Sequence, residues 1–131
     1  MRDKVLIDTS VWVEFFRGRN AGLVEKVSVL LRTGRAAYTG IIALELLNGA
    51  KGPNDMDTLF DAFDAMQRID EKDTTFFDAG RMGYALARKG FTASTVDLLI
   101  ARVAVENGLS LMTLDKHFEA IATHTDLRIM K

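Results

Sequence analysis

The sequence has no cysteine, one proline and one tryptophan among its 131 residues. Without cysteine the chain has no disulfides and no thiolate metal sites, which is typical of a reducing compartment, so we expect a cytoplasmic protein. No apolar run approaches the length that crosses a bilayer, and the N-terminal apolar run stops at Asp8, which argues against a signal peptide. The formal net charge of −1 excludes a strongly basic nucleic-acid binder.

The composition of the chain predicts a single globular domain covering residues 1–131. Hydrophobic residues make up 48% of the chain and charged residues 27%, a balance typical of a folded soluble domain. Short apolar runs predict strands at residues 5–7, 37–39, 67–69, 109–113 and 127–130, and helical spacing fills the segments between them. This alternation predicts an α/β fold with a mainly parallel sheet. Four small residues in the fifth helix, Ala79, Gly80, Gly83 and Ala87, predict close packing against another element.

Four acidic residues lie beside apolar runs or helix starts. They are Asp8 in IDTS, Glu45 in ALELL, Asp97 in STVDLL and Asp115 in LMTLD. Because strand carboxyl ends meet at one edge of an open sheet, these side chains are expected to converge. Carboxylates ~5 Å apart repel by roughly 3 kcal/mol at an effective dielectric of ~20. A hard divalent cation would offset that repulsion, so metal-assisted phosphodiester chemistry is the leading hypothesis.

Each acidic residue alone also has a structural explanation. Asp8, Asp97 and Asp115 are all placed to cap or open a helix, and Glu45 fits a solvated helix face. Thr9 and Ser10 offer alternative caps after Asp8. The joint placement, with three of the four at strand ends or in the following helix turn, favours a site.

Four segments then run nearly end to end in a familiar order: VLIDTSVWVEFFRG, ALELLNG, YALARKGFTASTVDLLIARVAVENG and LSLMTLDKHFEAI. Together they resemble a PIN-domain ribonuclease, specifically a VapC-like toxin of a type II toxin–antitoxin pair. The resemblance implies a three-layer α/β/α sandwich and a Mg²⁺- or Mn²⁺-dependent endoribonuclease that cuts structured RNA such as transfer or ribosomal RNA. It also implies a homodimer, a cognate antitoxin that inhibits the enzyme, and operator DNA bound only through that antitoxin.

The resemblance carries the family's site onto five residues of this chain. Asp8, Glu45, Asp97 and Asp115 match the acidic ligands, and Thr113 matches a hydroxyl residue that supports them. Oxygen ligands suit Mg²⁺ or Mn²⁺, and a metal-activated water would attack the phosphate in line. Asp8 and Asp97 are the predicted direct ligands, whereas the other two act directly, through water or by positioning. The number of metals and the membership of Glu119 stay open.

Two further sets of residues are candidates for binding RNA or protein. Cations for RNA phosphates are Arg17, Arg19, Lys51, Arg102 and Lys116, each of which also fits an ordinary surface charge. The aromatic stripe of Trp12, Phe15 and Phe16 is expected to be mostly core; any exposed part, with Leu46 and Leu47, would form a groove for an antitoxin helix or strand. His117 and His124 are assigned no necessary role.

Two alternatives remain at this point. A phospho-receiver domain has similar length and a Mg²⁺ site, but it needs an acidic pair after the first strand, where Asp8 stands alone, and a lysine after a late strand. A dehalogenase-type phosphatase is set aside because it needs an aspartate where Ser10 stands. The second alternative is a non-catalytic, PIN-like module that binds RNA or a partner.

Overall fold

The computed structural model describes residues 3–130. That part of the chain contains seven helices and five strands. In chain order they are β1 (Val5–Ile7), α1 (Thr9–Arg17), α2 (Ala21–Arg32), β2 (Ala36–Tyr38), α3 (Gly40–Asn48), α4 (Pro53–Asp64), β3 (Gln67–Arg68), α5 (Thr75–Arg88), α6 (Thr95–Glu106), β4 (Ser110–Met112), α7 (His117–His124) and β5 (Arg128–Ile129). None of these described helices combines the length and the apolar character that a bilayer crossing requires.

The five strands form one parallel sheet in the order β3-β2-β1-β4-β5. β1 is central, because Leu6 pairs with Ala37 of β2 on one side and with Leu111 of β4 on the other. The chain therefore moves outward from β1 in two directions. The carboxyl ends of β1 and β4 meet where the direction reverses, which is where open α/β sheets place their sites. The predicted α/β fold with a mainly parallel sheet is confirmed.

The helices form two sets that cover the sheet. α1 to α4 contact one another and the β2–β3 side, whereas α5 to α7 contact one another and the β4–β5 side. Right-handed crossovers that reverse direction at β1 put the two sets on opposite faces. The predicted three-layer α/β/α sandwich is confirmed.

The ends of the helices follow their capping residues. Gly18 adopts a left-handed φ of 68° and ends α1 by donating its N–H to the Glu14 carbonyl. Ser94 caps α6, because its hydroxyl accepts the Asp97 N–H at 3.1 Å. α7 begins at His117 rather than at Asp115, because Asp115 lies before the helix and accepts the His117 N–H at 2.9 Å.

The prediction of close packing along α5 is right for one face and wrong for the other. Ala79 is buried, and a Cβ added to Gly83 would lie 2.6 Å from the Leu98 side chain of α6, so these two positions let the helices approach. Gly80 and Ala87 are exposed instead. Their positions follow from helical spacing, since they point away from the stripe that α5 buries.

Candidate metal centre

Asp8 begins the site at the carboxyl end of the central strand. Its side chain is only 6% exposed, and its N–H continues the sheet by bonding to the Met112 carbonyl at 3.0 Å. Although Asp8 is the N-cap residue of α1, its carboxylate makes no capping bond. The Asp8 Oδ2 atom accepts hydrogen bonds from Ser10 at 2.8 Å and Thr113 at 2.9 Å. The simple capping explanation for Asp8 is therefore wrong.

Thr113 joins the two strands that carry the site. The register pairs Ile7 with Met112, so Asp8 and Thr113 follow next to each other on neighbouring strands. The Thr113 hydroxyl donates to Asp8 and accepts the Asp115 N–H at 3.0 Å. One hydroxyl thus orients a buried carboxylate and fixes the backbone of a second acidic residue.

Glu45 joins the site through the residue that follows Asp8. The Thr9 hydroxyl donates to Glu45 Oε1 at 2.9 Å, which links the start of α1 to α3. Glu45 is exposed, so its carboxylate lies at the solvent-facing edge of the site. Thr9 and Ser10 do not cap α1 as expected; instead each hydroxyl holds an acidic side chain.

Asp97 and Asp115 meet from α6 and from the loop after β4. Asp97, Asp115 and His117 each offer one ligand atom, and these three atoms lie within 4.8 Å of one another. Asp97 and Asp115 are half-buried, and His117 Nδ1 lies 3.2 Å from Asp115 Oδ1. The structure therefore adds an imidazole that the sequence pattern did not assign to the site.

The pKa of Asp97 reflects the carboxylates that surround it. Burial raises the pKa of the Asp97 carboxyl above its ordinary value, and the charges of Asp115 and Asp8 raise it further. The Ser94 hydrogen bond and the nearby His117 act in the opposite direction. Asp97 is thus held in a field that disfavours its negative charge.

The donor set fits a divalent cation. Among residues 3–130, no lysine or arginine forms a salt bridge with Asp8, Glu45, Asp97 or Asp115. Carboxylate oxygens are the preferred ligands of Mg²⁺ and Mn²⁺, and imidazole is acceptable to the softer ions. A cluster of unneutralised carboxylates at a sheet edge is consistent with a site built for a cation.

Comparison with known proteins identifies the family. The PIN domain model matches residues 5–123. The chain belongs to the PIN domain family. This assignment removes the support for a phospho-receiver domain, because the same α/β pattern and acidic residues now fall within a different family.

Relatives of this PIN domain carry ribonuclease names. It is 34% identical over 128 residues to VapC ribonuclease Mb1587 of Mycobacterium bovis, covering 95% of this chain and 96% of that protein. Ribonuclease VapC21 of Mycobacterium tuberculosis is 32% identical over the same length, covering 95% and 91%. The DNA-bound VapBC structure from Salmonella typhimurium has a TM-score of 0.82 at 22% identity, covering 98% of both chains. VapBC2 of Rickettsia felis, bound to a promoter DNA fragment, has a TM-score of 0.79 at 22% identity and 96% coverage of both.

One of the predicted RNA-binding cations is paired within the fold. Arg102 lies between the helices of the PIN domain, with its Nε 3.4 Å from Glu106 Oε1 and its Nη2 3.9 Å from Asp78 Oδ2. The side chain is 28% exposed, and Glu106 is 5% exposed. Because α5 and α6 pack closely, Arg102 pairs with a buried carboxylate, which argues against a contact with RNA.

The other predicted cations lie on the surface. Arg17 and Arg19 both contact Glu14 Oε1, at 2.9 and 3.2 Å, and remain exposed. Lys51 is exposed and lines a groove together with Arg17, and Lys116 is exposed next to Asp115 in the sequence. At these four positions, a contact with RNA phosphates stays a prediction.

The aromatic stripe on α1 is divided between core and surface. Trp12 is 1% exposed, and its indole N–H donates to the Ile7 carbonyl at 3.2 Å. Trp12 therefore belongs to the core, as expected of most of the stripe, and not to an exposed part that could contact a partner. Phe16 is 41% exposed and stacks on Trp12 with ring centroids 5.9 Å apart, while Phe15 is half-buried. The buried Trp12 thus packs against the partly exposed ring of Phe16.

Phe16 opens onto a groove of about 510 Å³ beside the acidic site. The groove combines apolar and charged side chains; its lining includes Thr9, Val13, Phe16, Arg17, Glu45, Leu46, Lys51, Asp55 and Leu59. Leu46 is buried at its floor, and Leu47 is half-buried and is not part of the lining described. The groove therefore reaches the site at Glu45, so an occupant would lie next to the acidic residues.

Proposed function

We propose that this PIN domain is a metal-dependent endoribonuclease and the toxin of a toxin–antitoxin pair. The observation that carries the proposal is the meeting of Asp97 and Asp115 near Asp8, with Glu45 at the rim, where no lysine or arginine among residues 3–130 forms a salt bridge with any of the four. The ribonuclease names of the relatives, which match almost the whole chain, support the same activity.

The protein side chains have unequal tasks in this proposal. Asp8 is buried and held by two hydroxyls, so it offers a carboxylate whose position is fixed before any ligand arrives. Asp97 has raised proton affinity because of burial and neighbouring carboxylates, so a bound cation would relieve its repulsion. Asp115 is anchored through its backbone to Thr113. Together they form a preorganised set of oxygen donors.

Asp8, Asp97 and Asp115 would hold the cation, with Glu45 binding directly, through water or positioning the nucleophile. When bound, Mg²⁺ or Mn²⁺ would lower the pKa of a water nucleophile and place positive charge beside the scissile phosphate. The exposed Glu45 faces the groove, where it is placed to orient the nucleophile or the RNA backbone.

An RNA-cleavage assay tests this proposal. We expect wild-type protein to cut transfer or ribosomal RNA with Mg²⁺ or Mn²⁺ and to lose the activity in EDTA. Asp8→Asn and Asp97→Asn should each reduce cleavage by at least about 100-fold, the effect of removing one preorganised electrostatic group. Asp61→Asn, a change of the same kind at an exposed position of α4, is the matched control and should cleave normally.

Equal cleavage by all four proteins would contradict the proposal, because the activity would then come from another site or a contaminant. RNA binding without cleavage in any metal would favour the remaining alternative, a non-catalytic module. Fluorescence anisotropy with labelled RNA separates these two results.

The groove beside Glu45 is the proposed seat of the antitoxin. Its exposed Phe16 ring and its apolar wall suit an amphipathic helix or an extended strand, and Arg17 and Lys51 lie at its edge. An antitoxin segment here would cover Glu45 and block access to the acidic residues. Operator DNA would then be bound only through the antitoxin, and homodimerisation remains a prediction.

Binding of the co-expressed antitoxin to Phe16→Ala tests the groove. We expect the affinity to fall by about tenfold or more, as for an interface aromatic, while Phe60→Ala on α4 leaves it unchanged. Equal affinity for both variants would remove the groove from the interface. Trp12→Ala is not informative, because Trp12 is part of the core.

A further inference from the structure

A second recess borders the acidic residues, at Asp97. It is a cavity of about 330 Å³, lined by Asp97 and His117, by the loop that joins α5 to α6, and by α7. Asp97 belongs to the acidic group as well, since its ligand atom lies within 4.8 Å of those of Asp115 and His117. Among residues 3–130, the lining of this cavity and the lining of the groove at Glu45 share no member. The cavity therefore needs an occupant of its own.

An aromatic side chain forms one wall of this cavity. The Phe91 ring packs on His124, with ring centroids 4.4 Å apart and an angle of 41° between the two planes. Phe91 is nevertheless 39% exposed, so part of its ring is open. A single exposed aromatic ring is ordinary on a protein surface, but this one faces a cavity that leads to a probable ligand of the metal. Open rings of this kind are the surfaces on which proteins stack unpaired bases of RNA.

The loop that carries Phe91 is held by its own backbone. Gly90 has a φ of 90°, a left-handed conformation that an L side chain would strain. This turn lets the Gly90 and Phe91 N–H groups donate to the carbonyls of Ala87 at 3.0 Å and Leu86 at 2.9 Å. The backbone of Phe91 is thus fixed to the end of α5, so a ligand that stacks on the ring pays little to order the loop.

The polar groups and the size of the cavity both suit one base. Thr92 and Ser94 are exposed residues of the lining, and each has a hydroxyl that can meet the edge of a base. The Ser94 hydroxyl accepts the Asp97 N–H, and a hydroxyl in that role can still donate its own hydrogen. A volume of about 330 Å³ is at the lower end of the roughly 300–1,000 Å³ of small-ligand pockets, which is too small for a helix of a partner protein.

We propose that this cavity binds one unpaired nucleobase of the RNA, stacked on Phe91. The inference rests on the proposed function, because it takes RNA as the substrate of the acidic residues. Since Asp97 belongs to both the cavity and the acidic group, the base is that of a nucleotide next to the scissile phosphate. A base enters such a cavity only after it leaves its pair, so the enzyme cuts in loops and single-stranded segments of structured RNA.

Binding of an oligoadenylate that carries one 2-aminopurine tests the proposal. Stacking tolerates any base, so this probe suffices without knowledge of the natural RNA, and 2-aminopurine loses fluorescence when it stacks. In Ca²⁺ buffer, with the RNA checked for integrity, wild-type protein should bind the probe and quench it. Phe91→Ala should weaken binding by about 5- to 100-fold and abolish the quenching, as for the loss of one stacked aromatic.

Two further substitutions at the same position separate stacking from apolar packing. Phe91→Tyr keeps the ring and should bind and quench like wild type. Phe91→Leu keeps apolar bulk without a ring and should behave like the alanine variant. Phe60→Ala is the matched control, since Phe60 is 51% exposed on α4, outside the cavity, and it should leave binding unchanged. Circular dichroism checks that every variant is folded.

Filling the cavity tests the proposal without touching Phe91. Ala120 is half-buried and lines the cavity from α7, so Ala120→Leu should also weaken binding by at least about fivefold. Thr123→Leu introduces the same side chain at an exposed position of α7 and should have no effect.

Several results would overturn the proposal. They are failure of wild type to bind the probe, binding without quenching, equal affinity of Phe91→Ala and wild type, a leucine variant that binds like wild type, or equal binding by the two α7 variants. A Phe91→Ala protein that loses affinity for the antitoxin but not for RNA would assign the cavity to the antitoxin instead.

Cleavage in Mg²⁺ or Mn²⁺, measured on the same proteins, distinguishes failure of this inference from failure of the proposed nuclease. A wild-type protein that quenches the probe but never cuts RNA counts against the nuclease alone. A wild-type protein that cuts RNA, with a Phe91→Ala variant that cuts and binds equally well, counts against the base site alone. Asp8→Asn should show the opposite pattern, with quenching kept and cleavage lost, because Asp8 does not line the cavity.

Discussion

Replacing Asp97 by asparagine should stabilise the metal-free protein. The ligand atoms of Asp97 and Asp115 lie within 4.8 Å of each other, and Asp8 adds a second negative charge nearby. Two unit charges at that distance repel by about 3.5 kcal/mol at an effective dielectric of 20 and by about 1 kcal/mol in water. Both side chains are partly exposed, so the lower figure is the better guide, and we expect a gain of about 1 kcal/mol. The asparagine keeps the Ser94 cap, because Ser94 bonds to the backbone of residue 97.

The gain should depend on pH in a defined direction. The folded-state pKa of Asp97 is raised, so ionising this group costs stability. That cost begins as the pH rises above the unfolded value of about 3.9, and it is complete above the folded pKa. The stability difference between Asp97→Asn and wild type should therefore be full at neutral pH and shrink as the pH falls toward the unfolded value.

Urea unfolding in EDTA measures the effect, with Asp61→Asn on the surface of α4 as the matched control. In EDTA, Asp97→Asn should be more stable than wild type, and the control should lie within about 0.5 kcal/mol of it. Saturating Mn²⁺ should reverse the order, since a ligand at 100 times its Kd adds about 2.7 kcal/mol to the protein that binds it. A loss of stability on Asp97→Asn in EDTA would refute the account of a repulsive cluster.

Three further changes test other parts of the structure. Thr113→Val should lower the free energy of unfolding, measured in urea, by roughly 2 kcal/mol, because it leaves the buried Asp8 carboxylate with one hydroxyl donor fewer. Thr123→Val is the control, since it removes only an exposed hydroxyl, and equal losses in the two variants would contradict the prediction. His117→Gln should weaken Mn²⁺ binding more than Mg²⁺ binding by calorimetry, since imidazole suits the softer ion, and His124→Gln should change neither. Arg102→Gln should lower the free energy of unfolding by about 2 kcal/mol while leaving RNA affinity intact; a loss of affinity would restore Arg102 to the RNA surface.

Local pattern explains why the acidic positions were predictable. Asp8 and Asp115 follow short apolar strands, and Asp97 follows a serine cap, so each position is set by a few neighbouring residues. Parallel pairing of β1 with β4 then brings two of these short patterns side by side without further information. The fold class and the edge of the sheet that carries the site follow from the same alternation of strands and helices.

The errors concern contacts between distant parts of the chain. The ion pair of Arg102 with Glu106 is local, four residues along α6, but its second partner, Asp78, lies on another helix, and the sequence did not show the packing against that helix. The same cause explains why the sequence did not show the hydrogen bond from Thr9 to Glu45, which spans 36 positions. Helical spacing shows which residues share a face, but it does not show which face the rest of the molecule covers. The small residues of α5 illustrate this, since one pattern serves both a buried contact and an open surface.

The site also shows how rigidity and repulsion are placed on different elements. Asp8 directly follows the central strand, where a backbone hydrogen bond to β4 and two hydroxyls hold a buried charge in one position. Asp97 lies in the first turn of a helix near solvent, where partial exposure limits the cost of its repulsion. A buried carboxylate without hydroxyl donors would cost several kcal/mol of stability. A fold that buried Asp97 and exposed Asp8 would therefore be far less stable. The fold can therefore tolerate a destabilising acidic cluster, because the one carboxylate it buries accepts two hydroxyl hydrogen bonds and the two carboxylates that crowd beside it are partly exposed.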